Sequence, residues 1–428
     1  MAHKTKKQTD SLSDEFIVGL DVGTTKICVI VAKIRDKNNI DILGIGKAPS
    51  DGLHRGIVVN PTKTVKSIRQ ALDEAEAKAN VEISSVIVGI AGHHIRCIQS
   101  SSVIGINNPD RVIQDQDIDR LIEQARLIKI PSDTTIIDVI PQEYIIDGKD
   151  GIYENPAGMF GIRVEGKFNI VTGLISSIDD LSKCVLDSGV DIDDIVLEPI
   201  ASSCSVLNET EKKVGVAMID IGGGTTDIAV FKKGVLKYTA GIGIAGNLVT
   251  NDIVESLGIT DEEAERLKRE YGYATIEEII NDDDIPVKSI RPNEPRFTKK
   301  TILARIIQAR MHDIFELSAI EIKNSQIANE LHAGVVITGG GSLIKGTKEL
   351  ASYILGTDVN LGIPTGLSGG LIKEVESPIY ATGVGLVLYR ISQMNSEDRA
   401  FKKVKQNKGE KFNFKNIFMK VKEWFDEL

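Results

Sequence analysis

A chain of 428 residues is too long for one hydrophobic core and implies about two to four domains. Its formal net charge of −10, with 42% hydrophobic and 26% charged residues, fits an ordinary globular protein and leaves no basic excess for phosphates along a duplex, so no nucleic-acid partner is expected. The four cysteines, Cys28, Cys97, Cys184 and Cys204, form no C-x-x-C pair, which excludes the usual zinc patterns and points to reduced thiols in a cytosolic protein.

Residues 1–15 are polar and lysine-bearing, without the apolar stretch of a secretory signal, and are expected to be disordered. No run reaches the roughly 18 apolar residues of a membrane span, so the chain is expected to start and stay in the cytoplasm. From 16 to 48 the pattern predicts a hairpin and further strands. Ile17 to Ile34, IVGLDVGTTKICVIVAKI, reads as strand, turn, strand. Its turn carries Asp21, Gly23, Thr24, Thr25 and Lys26: a carboxylate suited to a hydrated metal ion, a glycine that admits close approach, two hydroxyls, and a lysine that meets phosphate as a point charge. Pro61 opens an amphipathic helix over 61–80, and 81–92 reads as a buried strand. His93 and His94 follow it. Neighbours on an extended chain point to opposite faces, so these two mark a domain-boundary turn rather than a chelating pair.

From about Ile95 to Ser177, strand-like runs flank one helix at 115–128, the texture of a small α+β insert. Helices are expected at 178–189 and 199–208, and strands over 211–243. Within these strands Ala217 to Phe231, AMIDIGGGTTDIAVF, repeats the earlier design with Asp220, Gly222, Gly223, Gly224, Thr225, Thr226 and Asp227. The three glycines let backbone N–H groups meet an anion. Two copies of one phosphate hairpin imply a duplicated domain that clamps a nucleotide between its halves. A charged helical region at 246–270, a loop-like stretch at 281–296 and a helix at 298–324 follow. Val335 to Leu350, VVITGGGSLIKGTKEL, then reads as a strand, Gly339, Gly340 and Gly341, and a helix starting at Ser342, suited to a phosphate, ribose or purine face. Strand–helix alternation ends at Arg390.

Residues 391–410 are polar and read as a flexible tether. Over 411–428, Phe414, Ile417, Phe418, Val421, Trp424, Phe425 and Leu428 fall on one helical face, with Lys411, Lys415, Lys420 and Lys422 beside or across from it. The chain's single Trp lies in this stripe. This is the pattern of an interfacial helix held on anionic membrane lipids by apolar burial and lysine attraction. A helix docked on the body or in a partner groove is the other reading; the long tether disfavours self-docking.

The order Asp-x-Gly-Thr-Thr, Asp-x-Gly-Gly-Gly-Thr-Thr-Asp, Thr-Gly-Gly-Gly resembles the actin-like ATPase superfamily, which includes actin, the heat-shock chaperones, sugar kinases, MreB and FtsA. The stretches VIVGIAGHHI (86–95), VIPQEYIIDG (139–148), NPAGMFGIRVE (155–165), VLEPIASSCSVL (196–207), NDIVESLGITDEEAERLKREYG (251–272) and SPIYATGVGLVLY (377–389) narrow the resemblance to the FtsA family of bacterial cell-division proteins. The resemblance implies an α/β, actin-like two-lobed ATPase fold of duplicated ribonuclease-H-like domains, with a small α+β insert and a C-terminal amphipathic helix. On that scheme 16–94, 178–210 and 375–390 form the first lobe, and 211–245 with 326–374 the second. The insert, 95–177, serves self-association and other division proteins. Residues 246–325 form the outer subdomain of the second lobe and bind the FtsZ C-terminal tail; 391–410 is the linker and 411–428 the membrane-targeting helix.

Residue by residue, the resemblance implies that Asp21 and Asp220 position the Mg²⁺ of bound ATP. Gly23, Thr24, Thr25 and Lys26 form the first phosphate loop, Gly222 to Thr226 the second, and Gly339 to Ser342 the adenosine loop. Glu198, in Leu-Glu-Pro, stands where MreB-like proteins carry the glutamate that orients attacking water; a solvated or salt-bridged acid is the plainer reading. Glu265 and Lys268 match the ribose- and purine-facing helix, or else a charged exposed face. Gly246 and Asn247 replace the Gly-Asp commonly found there, which leaves a nucleotide contact at Asn247 open. Lys299, Lys300 and Arg305, with Arg310, would meet the acidic FtsZ tail or form a solvated face. The implied function is a polymer that anchors FtsZ filaments at the division site, on the cytoplasmic face of the membrane, with ATP hydrolysis slow or absent. A small-molecule kinase or an MreB-like membrane-bound cytoskeletal ATPase are rival readings. A kinase has no use for the terminal amphipathic helix, and a chaperone-like module would need a substrate domain that about forty residues after the ATPase body cannot supply.

Overall fold

The first hairpin forms as β1 (Phe16–Val22) and β2 (Lys26–Asp36), paired antiparallel from Phe16–Lys33 to Val22–Ile27. The computed structural model describes residues 16–36, 39–152, 155–288 and 296–407. The expectations for 1–15 and for the apolar stripe of 411–428 therefore fall outside the described residues. Strand β3 (Asn39–Pro49) completes a meander, and a small hairpin, β4 (Leu53–His54) and β5 (Ile57–Val58), leads into α1 (Pro61–Ala79). The Asn60 side chain accepts from the Lys63 N–H at 3.1 Å and so starts α1; Asn80 ends it at φ +53°, the usual αL stop. Strand β6 (Ser85–Ile90) precedes β7 (Arg96–Gly105), α2 (Asp115–Arg126), β8 (Thr134–Ile146), β9 (Lys149–Ile152) and β10 (Arg163–Leu174). Helix α3 (Ile175–Asp187), β11 (Asp191–Leu197), α4 (Glu198–Val206) and α5 (Glu209–Val214) follow.

The second half opens with β12 (Val216–Ile221), β13 (Thr226–Lys232) and β14 (Val235–Ile242), then α6 (Gly246–Leu257) and α7 (Asp261–Tyr271). A ribbon of β15 (Asp284–Val287) and β16 (Arg296–Lys299) leads into α8 (Lys300–Asn324). The chain ends through β17 (Val335–Thr338), α9 (Thr347–Leu355), β18 (Val359–Leu361), β19 (Gly369–Gly370), α10 (Ile372–Val375) and α11 (Ala381–Asn407).

Two sheets share one plan. The order β3-β2-β1-β6-β11 in the first matches β14-β13-β12-β17-β18 in the second. In each, a three-stranded antiparallel meander is extended by two parallel strands; β19 extends the first sheet beside β3. This is the duplicated α/β, actin-like fold. Ile27 to Ala32 are fully buried without interruption, the mark of a strand covered on both faces. Leu20, Val29, Leu72 and Val88 centre one core; Ile219, Ile253, Phe315 and Ile337 centre the other. Between β6 and α3, an antiparallel sheet of order β7-β10-β8-β9 packs against α2, with its own core around Leu121, Phe168 and Ile170.

Four local expectations need correction. Residues 211–243 are not all strand, because Asn208 and Glu211 make reciprocal cap bonds of 2.8 and 2.9 Å and nucleate α5. The loop-like 281–296 stretch includes β15, where Ile285 and Val287 are buried and Asp284 and Pro286 exposed, a two-residue period. No helix starts at Ser342: Gly340–Leu343 is a 3₁₀ turn, and Gly346 at φ +76° delays α9 to Thr347. Finally, most of the 391–410 tether continues α11 to Asn407. Residues 391–407 contain neither Gly nor Pro, so nothing within them breaks the helix.

Candidate functional site

Each phosphate-type turn closes on itself in the same way. Gly23 N–H donates to the Lys26 carbonyl at 3.1 Å, and Gly222 N–H donates to the Thr225 carbonyl at 2.9 Å. The two turns come from different sheets and face each other directly. A Cβ on Gly223 would collide with the Thr25 side chain, and one on Gly224 with Thr24. Glycine is required there by this approach, not by turn conformation. Thr25 is exposed, and Thr24 Oγ1 accepts from the Gly56 N–H at 3.1 Å. Thr225 Oγ1 donates to Asp227 at 2.9 Å and Thr226 Oγ1 to the Ile244 carbonyl at 2.7 Å. In this structure both hydroxyls of the second turn are engaged within their own lobe.

Four carboxyl groups gather behind the turns. Asp21 pairs with Lys26 Nζ at 3.7 Å. That ammonium also donates to the Ile379 carbonyl at 2.5 Å and lies 4.9 Å from the Tyr380 ring centroid. Burial raises Asp21, with Lys26 opposing. Burial alone would lower Lys26, but Cys28, Asp21 and Tyr380 outweigh it and leave it raised. Asp220 accepts from Ser202 Oγ at 2.7 Å and Thr382 Oγ1 at 3.5 Å, and burial pushes it up to about 6. Asp227 is pushed up to about 7 by burial and by Asp220. Glu198, at the first turn of α4, packs against Gly89. Burial and the charges of Asp21, Asp227 and Asp220 raise it well above the usual carboxylate range. Crowded acids of one sign raise one another and hold a strong demand for positive charge. The sequence reading gives Asp227 no role and misses Ser202 and Thr382; for Asp227, the second acid of Asp-x-Gly-Gly-Gly-Thr-Thr-Asp is the available signal.

The second turn is tied to α6 through backbone. Gly246 N–H donates to the Gly222 carbonyl at 3.1 Å and Asn247 N–H to the Gly223 carbonyl at 2.8 Å. Asn247 thus supports the turn by its main chain. Lys268 Nζ reaches the Gly246 carbonyl at 3.1 Å, Thr250 Oγ1 at 2.7 Å and Glu265 at 2.6 Å. Burial lowers Lys268, with Glu265 opposing; the pair braces α7 against α6. Gly339, at φ +80°, passes so close to Asp220 that a Cβ would strike its Oδ1. Gly340 is exposed, Gly341 packs on Ile221, and Ser342 Oγ donates to the Gly339 carbonyl at 2.7 Å.

Lys299, Lys300 and Arg305 do not join this cleft. They sit where β16 runs into α8, with Lys299 paired to Asp284 at 3.0 Å, Lys300 to Asp283 at 2.5 Å, and Arg305 exposed. Arg310 pairs with Asp252 at 2.8 Å. His94 is buried, and burial together with His93 lowers it to about 4, so it is neutral at pH 7.

The model of the family described as "Cell division protein FtsA" matches residues 217–385, and that of the "SHS2 domain inserted in FTSA" matches 92–172. The chain is 40% identical over 383 residues to cell division protein FtsA of Pseudomonas aeruginosa, covering 90% of this chain and 91% of that one. With the Bacillus subtilis (strain 168) protein of the same name it is 36% identical, covering 88% and 84%. With that of Escherichia coli (strain K12) it is 33% identical, covering 92% and 95%. Among solved structures, a PilM–PilN type IV pilus biogenesis complex superposes with a TM-score of 0.63 at 14% identity, covering 88% of this chain and 98% of that one. MreB5 of Spiroplasma citri bound to ADP gives 0.54 at 14% identity, covering 90% and 98%. These structures share the fold alone. The sequence relatives reach further: the chain belongs to the FtsA family of bacterial cell-division proteins and carries that family's SHS2 insert in an actin-like ATPase fold.

Proposed function

We propose that this cell-division protein binds ATP with Mg²⁺ between its lobes, polymerises, and anchors FtsZ filaments to the cytoplasmic membrane at the division site. The observation that carries the reading is the meeting of two like turns, Gly23–Lys26 and Gly222–Thr226, in front of Asp21, Glu198, Asp220 and Asp227. Backbone N–H groups of the turns and the Lys26 ammonium suit the phosphates. Among the described residues, no three His, Cys, Asp or Glu side chains converge to hold a metal directly. Asp21 and Asp220 would therefore meet Mg²⁺ through its water shell, as suits an ion that keeps several waters. The bound ion supplies positive charge that offsets both phosphates and acids. Glu198 stands behind the turns, where it would orient an attacking water.

The Gly339–Ser342 turn, with Gly246, Glu265 and Lys268, would form the adenosine side. Closure of two lobes on a nucleotide is a hinge motion that can be coupled to filament assembly. The insert presents Met159, Phe160 and Ile162 exposed on one connecting segment, an apolar surface for self-association and division partners. Phe297 and Ile302 are exposed on either side of Lys299 and Lys300. An acidic FtsZ tail would exchange with Asp283 and Asp284 for these lysines and cover the apolar side chains. Exposed ion-pair exchange is nearly neutral, so apolar contact would supply most of the affinity. No helix of the described residues is long and apolar enough to cross a membrane, and the amphipathic 411–428 segment is the proposed membrane anchor. Electron microscopy of the full chain on anionic lipid monolayers tests the reading. Filaments on the lipid that depend on Mg-ATP support it; a monolayer bare of protein in Mg-ATP contradicts it.

A further inference from the structure

Asp220 is held asymmetrically. Its Oδ2 accepts from Ser202 Oγ at 2.7 Å and Thr382 Oγ1 at 3.5 Å, and the two hydroxyls lie 3.0 Å apart. Its Oδ1 lies over Gly339, at the one place where a Cβ would collide with it. Ser202 is fully buried and Thr382 nearly so. They come from α4 and α11, 180 residues apart, and both reach Asp220 near the end of β12. The Ser205 hydroxyl, one turn along α4, donates to the Ala381 carbonyl at 2.7 Å, so the two helices are joined at this level independently of Asp220. Charged neighbours of Asp220 are Asp21 and Lys26, with Asp227 and Glu198 also within electrostatic reach.

A hydroxyl that donates to Oδ2, backed by a second hydroxyl in reach of both, fixes the rotamer of a ligating carboxylate and leaves its other oxygen to face the ion. We propose that Ser202 and Thr382 are positioning residues that anchor Asp220 by Oδ2 and so present Oδ1 to the hydrated Mg²⁺ of a bound nucleotide. The proposal rests on the nucleotide reading given above.

Calorimetric titration of the full chain with ATP, once with Mg²⁺ and once with EDTA, tests it. Ser202→Ala and Thr382→Val are each expected to weaken Mg-ATP binding about five- to tenfold while leaving metal-free ATP binding unchanged. Thr382→Ser, which keeps the hydroxyl, is expected to bind Mg-ATP like the wild type. Equal losses with and without Mg²⁺ would assign the pair a merely structural role and overturn the proposal. So would wild-type Mg-ATP affinity in both hydroxyl-deleted variants while Asp220→Ala loses it, an outcome that spares the nucleotide reading. Wild-type Mg-ATP affinity in Asp220→Ala would instead remove Asp220 from the metal site and take both down. Melting curves of each variant exclude loss of fold as the cause.

Discussion

Asn169, on β10 of the insert, donates through Nδ2 to the backbone carbonyl of Lys237, on β14 of the second lobe, at 2.7 Å. Gln142, on β8, does the same to Leu236 at 2.6 Å. The insert grows out of the first lobe, so these amides brace it against the edge strand of the second. Asn169 is buried, and its Oδ1 has no hydrogen-bond partner among the described residues. Asn169→Ala removes its amide hydrogen bonds to the Leu236 and Lys237 carbonyls and is expected to cost about 1–3 kcal/mol in urea unfolding. Excision of 95–177 is expected to lower the melting temperature while ATP still binds. Loss of the cooperative melt would place the insert in the core of the lobes.

The acid cluster makes a signed prediction about pH. Asp227 rises from 3.8 to about 7 on folding, so between these values the folded chain holds a proton that the unfolded chain has lost. Its contribution to stability therefore falls as pH climbs from about 4 to 7, and the full penalty stays above 7. Asp227→Asn, neutral at every pH, is expected to be more stable than wild type at pH 8 by up to about 4 kcal/mol. The difference should vanish by about pH 4. A constant difference across that range would mean that Asp227 is not held in the way described.

Glycine at the cleft can be tested by contrast. A Cβ on Gly224 would collide with Thr24, whereas one on Gly340 would meet only Ile379 at 3.7 Å, an ordinary contact. Gly224→Ala is expected to cost about 1–3 kcal/mol and Gly340→Ala less than about 0.5. Equal effects in thermal unfolding would contradict the close approach of the two turns.

The duplicated hairpins were legible because a strand, a Gly-Thr turn and a second strand leave a dense local pattern in both copies. The engagement of Thr225 with Asp227 and of Thr226 with the Ile244 carbonyl was not, because those partners are set by how the turn packs. The α5 helix was missed although Asn208 and Glu211 spelled its cap, because six residues carry too little periodicity to compete with flanking strands. Ser202 and Thr382 had no local signal at all: their meeting on Asp220 is a product of tertiary folding. The ion pairs of Lys299 and Lys300 with Asp284 and Asp283 join charges across the β15–β16 ribbon, and the sequence shows only both charge runs.

For the membrane segment, burial of each large apolar side chain supplies about 1.5–3 kcal/mol at full depth, and each lysine near an anionic leaflet about 1 kcal/mol. Trp424→Glu removes an anchor and sets a like charge against the lipid. Co-sedimentation with anionic vesicles is expected to fall steeply while ATP binding persists. Retention of wild-type sedimentation would mean that the stripe is a partner-binding helix.

On the proposed function, one chain joins the membrane to FtsZ. A fluorescent FtsZ C-terminal peptide over an anionic supported bilayer tests it most directly, with the full chain, the chain truncated after Arg390, or no protein, all in Mg-ATP. Recruitment of the peptide by the full chain alone is the predicted result. Recruitment by the truncated chain, or none by the full chain, would contradict the account.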